Sequence, residues 1–183
     1  MPCTFKYQDL INIFNHTFSA EYKTELLAGD DEPIYLPADE HNTLHRIIFA
    51  HGFYASALHE IAHWLVAGKQ RRLRVDYGYW YEPDGRSAEL QAEFEKVEIT
   101  PQAIEWIIAA SCGFKFDVSA DNLSGIEIDR LGFKHKVHDK VMHYLQNGVS
   151  ERTSLLSAAC RDFYQMPELT ADMFDYQGMY NRG

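Results

Sequence analysis

Several common features are scarce in this chain of 183 residues, and each shortage excludes a class of protein. The three cysteines, Cys3, Cys112 and Cys160, are odd in number and show no Cys-x-x-Cys spacing. That pattern argues against a disulfide framework or a cysteine zinc site and points to reduced structural thiols. No stretch approaches the ~18 apolar residues of a membrane span, and Met1-Pro2-Cys3-Thr4-Phe5-Lys6 lacks the basic start and apolar core of a secretory signal. A cytoplasmic location is expected, with no membrane partner. Positive charge is the scarcer sign: 17 Lys and Arg stand against 27 Asp and Glu, a net charge of −10 that disfavours a phosphate-tracking surface and hence nucleic-acid binding. The basic cluster Lys69 to Arg74 reads as a solvated helix end. There is no internal repeat, no low-complexity segment and no flavin, nicotinamide or 2-oxoglutarate signature. The length fits one domain over residues 1–183, with 166–183 expected to be a loosely packed tail.

What the chain does contain is His59-Glu60-Ile61-Ala62-His63, embedded in an apolar segment that begins at Phe53. On a helix, residues four apart lie one turn apart on the same side, so both imidazoles can grip one metal ion. On a strand they would lie about 13 Å apart, too far to share a ligand. Phe53, Ala57, Ile61 and Leu65 recur every four residues, the period of a helix, and Gly68 with Lys69, Arg71 and Arg72 supplies a stop and cations for its C-terminal dipole. Glu60 then stands beside the metal, placed to move protons or to orient a bound water, and is the candidate catalytic residue.

Two imidazoles leave a metal under-coordinated, and a carboxylate is the usual complement. Downstream, Glu98 is placed first for this role because Val97 and Ile99 flank it and an unpaired buried charge is costly. Glu95 is second and Glu93 third. His51, His135, His138 and His143 read as structural or supporting residues. With zinc, such a site activates water for a metallopeptidase-like or ribonuclease-like hydrolase; with ferrous iron, two histidines and one carboxylate leave positions for dioxygen and substrate. A purely structural metal would call for four closed protein ligands rather than three.

The rest of the chain reads as mixed α and β. Leu10, Ile11, Phe14 and Phe18 mark a first helix, closed by Leu26-Leu27 before Gly29. Ile34 to Leu36 and Arg46 to Ala50 read as strands, the second leading through His51-Gly52 into the metal helix, and Val75 to Tyr81 as a third, aromatic strand. Ser87 to about Val97 and Thr100 to Cys112 read as two helices, with Pro101 at the start of the second. Asp129 to Leu145 and Glu151 to Tyr164 follow as helices.

Long blocks carry a resemblance: Asp30 to Asp39, Phe49 to Trp64 around the paired histidines, Asp76 to Tyr81, Pro83-Asp84-Gly85-Arg86, Phe94-Glu95-Lys96-Val97-Glu98, Asp121-Asn122-Leu123 and His138 to Arg152. Over nearly its whole length the chain resembles the elongation factor P hydroxylase family. The resemblance implies an α+β fold, a small mixed β-sheet packed by several helices, on a zincin-like or metal-dependent-ribonuclease-like scaffold with the His-Glu-x-x-His helix in its core. It implies Fe(II) and dioxygen as cofactors, zinc or another divalent ion being able to occupy the same ligands. It implies, as partner, elongation factor P carrying a β-lysyl-lysine, and it gives His59 and His63 the ligand role, with Glu98 as the carboxylate. Such a substrate is long and cationic. An acidic, aromatic-walled entrance is expected, with Tyr77, Tyr79, Trp80 and Tyr81 as candidates for the wall.

Overall fold

In the computed structural model, which describes residues 4–76, 87–119 and 130–175, the sequence periodicities become five α-helices and a three-stranded sheet among the described residues. Helix α1 (Tyr7–Phe18) buries Leu10, Ile13, Phe14 and Phe18, and its neighbour is not more helix but strand β1 (Thr24–Ala28). Leu26-Leu27 was expected to close the helix. Instead the Asn15 side chain leaves α1 to pair with the backbone of Leu26 in both directions, Nδ2 to O at 3.3 Å and N to Oδ1 at 2.7 Å, and a parallel partner strand satisfies the remaining backbone groups.

That partner is β3 (His45–Phe49), flanked on its other side by antiparallel β2 (Ile34–Leu36), so the sheet order is β1-β3-β2. Leu26 sits opposite Ile47 in the parallel pair, and both are buried. Gly29 follows β1 where the Ile48 side chain comes so close that a Cβ would collide with it. Of the expected aromatic strand, Asp76 bridges Tyr35; residues 77–81 lie outside the described residues.

The chain reverses between β3 and the next helix through two successive left-handed residues, His51 (φ 61°) and Gly52 (φ 63°). Glycine adopts this conformation freely and histidine seldom does. Helix α2 (Tyr54–Val66) then runs into the core, burying Ala57, Leu58, Ile61, Ala62, Trp64 and Leu65. Phe53, expected on the buried stripe, is the N-cap residue and is 63% exposed. The helix end also differs from expectation. The Arg152 guanidinium, not the basic run after Gly68, donates to the carbonyls of Trp64 (2.7 Å), Leu65 (3.2 Å) and Ala67 (2.8 Å), satisfying groups that a helix end leaves without partners.

The largest correction concerns Pro101. The expected helix boundary is absent: α3 runs unbroken for 25 residues, Ala88–Cys112, with Pro101 inside it. Ser87 caps it, accepting from the Leu90 N–H, and Gly113 (φ 72°) ends it. Proline removes one helical hydrogen bond and crowds the preceding turn, but here residues 101–109 are all buried, and this packing outweighs the local defect. A helical stretch buried on nearly every side, as α3 is from Pro101 to Ala109, belongs in the centre of a fold. α3 packs against α2, α4 (Arg130–Asn147) and α5 (Glu151–Tyr164). In α4, Phe133, Val137 and Val141 face the core as their spacing predicts. Of the tail after α5, Phe174 is buried against Trp106, ring centroids 5.5 Å apart. Among the described residues no helix is long and apolar enough to cross a membrane.

Candidate metal centre

Helix α2 places His59 and His63 one turn apart, and α3, packed against it, brings Glu98 to meet them. The His59 and His63 Nε2 atoms are 3.1 Å apart, and His63 Nε2 lies 3.2 Å from Glu98 Oε1. One ligand atom from each of the three residues lies within 4.8 Å of the others. Ligand atoms about 2.1 Å from one ion, at right angles around it, would stand about 3 Å apart, so these separations suit a shared cation. The donor set, two neutral nitrogens and one anionic oxygen, also suits a divalent metal.

Of the three downstream carboxylates, Glu93 is exposed, Glu95 is half-buried and Glu98 is 1% exposed; only Glu98 joins the group, among the described residues. Burial would raise the Glu98 pKa, but the hydrogen bond and charge of His63, with His59 and Gln102 beyond, hold it at about 2. Glu98 is therefore an anion in the core, as a ligand must be. His51 is exposed and belongs to the left-handed turn, its N–H donating to the Asp30 carbonyl at 2.9 Å. The His138 ring packs 5.8 Å from Trp106 on α4, while His135 and His143 are exposed there; none joins the metal group.

Two supporting residues escaped the sequence reading. Glu105, seven positions after Glu98 and 8% exposed, meets His59 Nδ1 with Oε2 at 3.0 Å. An imidazole that donates Nδ1–H to a carboxylate has its Nε2 lone pair free for a metal. Burial depresses the His59 pKa, but Glu105 first, then Glu60 and Glu98, push it up to about 10 in the metal-free protein. Gln102, fully buried, donates to Glu98 Oε2 at 3.2 Å and to the Ser119 carbonyl at 2.7 Å, and accepts from the Ser119 N–H at 2.9 Å. It ties the carboxylate to the loop after α3. The signal was present: Glu98, Gln102 and Glu105 recur at i, i+4 and i+7, a polar stripe along the largely apolar stretch from Val97 to Cys112.

Glu60 and His63 open onto a small pocket, whose walls also include Tyr35, Trp64, Arg72 and Asp76. Burial raises the Glu60 pKa, the two histidines oppose that, and Glu105 and Glu98 add to it. The carboxyl is thus more ready to hold a proton than an exposed one. This pocket has two aromatic walls, but with Arg71 and Arg72 on it, it is not an acidic entrance. The other candidate wall residues, Tyr77, Tyr79, Trp80 and Tyr81, lie outside the described residues.

The sequence matches known proteins along the same stretch that builds this centre. A protein of Haemophilus influenzae named elongation factor P lysine hydroxylase is 55% identical over 159 residues, covering 87% of this chain and 89% of that protein. The sequence model of a family described as elongation factor P hydroxylase matches residues 13–174, which include both helices of the centre. The chain belongs to the elongation factor P hydroxylase family.

Proposed function

We propose that the chain hydroxylates the β-lysylated lysine side chain of elongation factor P, using ferrous iron held by His59, His63 and Glu98 on a zincin-like or metal-dependent-ribonuclease-like scaffold. Membership of the family makes it a hydroxylase of elongation factor P; the family name does not specify the β-lysyl group, the metal or its ligands. The observation that supports the metal reading is the meeting of His59, His63 and the buried anion Glu98 at 3.1–3.2 Å. When bound there, ferrous iron would supply activation of dioxygen.

The protein residues have separable duties. His59 and His63 present Nε2, Glu98 presents Oε1, and Glu105 fixes the His59 tautomer through Nδ1. Glu60, with its raised pKa, is suited to hold or pass a proton at its carboxyl beside the reacting centre. In a hydrolase Glu60 would activate water; the family match to hydroxylases disfavours that reading. The test is to load the protein anaerobically with ferrous iron, add β-lysylated elongation factor P, air and a chemical reductant such as ascorbate, which supplies the two electrons that carry the second oxygen atom to water, and weigh the product. A gain of one oxygen atom on the modified lysine is expected. Unchanged mass with every divalent metal tried would overturn the proposal.

A further inference from the structure

The pocket that Glu60 and His63 open onto is lined by a cation, Arg72, that pairs with no carboxylate among the described residues. Arg71 also lines it and Arg152 packs on its Trp64 wall, but these two are committed. Arg71 forms an ion pair with Asp76, and Arg152 gives its hydrogen bonds to the three carbonyls at the end of α2 while its guanidinium lies 4.5 Å from the centre of the Trp64 ring. Arg72 is different. Its guanidinium lies 5.8 Å from the same ring centre, and among the described residues no carboxylate lies within ion-pair reach of it. Its Nε is buried without an acceptor, and so is the indole Nε1 of Trp64, another wall of the pocket. Buried N–H groups without acceptors are rare because the water they lose is not replaced.

We infer that this pocket binds a small oxyanion, a carboxylate or a phosphate group, through the Arg72 guanidinium, next to the metal-facing histidine His63. A guanidinium pairs well with a planar or tetrahedral oxyanion because its N–H groups form a fork. The alternatives fit worse. An ammonium group would be repelled by Arg72, and an apolar ligand would leave the guanidinium on the pocket wall without an acceptor. The surroundings show the same excess of positive charge: burial, and then Arg72, bring the Arg152 pKa down to about 10, and the His45 pKa is lowered first by burial and then by Arg72. The space open to the centre of a water-sized sphere is about 30 Å³, room for one small ion and little more. The long cationic substrate arm must then reach the metal from another side.

The full-length, metal-free protein provides the test, because an anion cannot then bind through the metal. Succinate and inorganic phosphate are titrated separately, followed by tryptophan fluorescence and calorimetry. Saturable binding of at least one is expected, and which of them binds separates the carboxylate from the phosphate source. Affinity should fall at least tenfold in R72Q and stay unchanged in K69Q, which alters an exposed residue of the same basic run. In the wild-type protein the Arg72 Nε–H resonance should shift with the same saturation curve, a readout that does not depend on the variant folding. Absence of saturable binding by either anion, an unmoved Arg72 resonance, or wild-type affinity in R72Q would each overturn the inference. Failure here leaves the mass test of hydroxylation untouched.

Discussion

Replacing Glu105 by Gln keeps the shape of the metal centre and removes a single charge, and its effect should depend on pH in a way that mere loss of structure would not reproduce. In the metal-free protein Glu105 lies 3.0 Å from His59 Nδ1 and, with Glu60 and Glu98, raises that imidazole to about 10 against the depressing effect of burial. A metal must displace the proton, so wild-type affinity should climb about tenfold per pH unit through neutrality. Three units separate pH 7 from a pKa of about 10, which sets the ceiling on proton competition at roughly a thousand-fold. The His59 side chain is 30% exposed, so solvent screening brings the expected competition down to about 10- to 100-fold. In E105Q the proton is held less tightly and the slope should flatten above neutrality. The charged hydrogen bond that orients the ring is lost as well, which should weaken binding about 10- to 100-fold at the alkaline end. Competition between the protein and a chromophoric chelator for zinc, run from mildly acidic to mildly alkaline buffer, measures both effects. Parallel pH profiles for wild type and E105Q would refute the reasoning, whatever the absolute affinities.

Three further outcomes are expected. His63→Ala should abolish metal binding, read by the same chelator competition, and hydroxylation, read by product mass; retained activity would remove His63 from the ligand set. Arg152→Ala should lower the calorimetric Tm, since it leaves three carbonyls at the end of α2 without their donor and strips a cation from the Trp64 face; a loss of about 2–4 kcal/mol is expected, and a change under about 0.5 kcal/mol would show the cap to be idle. The Glu98 pKa is depressed from 4.5 to about 2, so its contribution to the metal-free fold is fully present above about pH 4.5 and disappears as pH falls toward 2; Tm should drop across that window in wild type and less in E98Q.

The sequence displayed the centre more clearly than the frame that holds it. Helical spacing was enough to pair His59 with His63, and apolar neighbours were enough to prefer Glu98 over Glu95 and Glu93, because burial of a charge demands a partner. Glu105 and Gln102 were missed because a helix boundary expected at Pro101 separated them from Glu98, hiding the face that all three share. Pro101 misled because local propensity was given priority, whereas the helix is held by what packs around it. Leu26-Leu27 misled for the opposite reason: a short apolar pair has no period of its own, and the parallel strand that claims it lies about 20 residues away.

The cap on α2 also fixes an order of events during synthesis. The carbonyl of Trp64 and the guanidinium that satisfies it are 88 residues apart in the chain, and the whole of α3, which carries Glu98, lies between them. At about 5–20 residues per second of translation, the helix bearing the two histidines leaves the ribosome roughly 5–20 seconds before its cap. Glu98 emerges partway through that interval, so all three candidate ligands are synthesised before the residue that caps α2. The helix end that carries His63 stays frayed until Arg152 arrives, and the centre gains its fixed geometry only with that long-range closure.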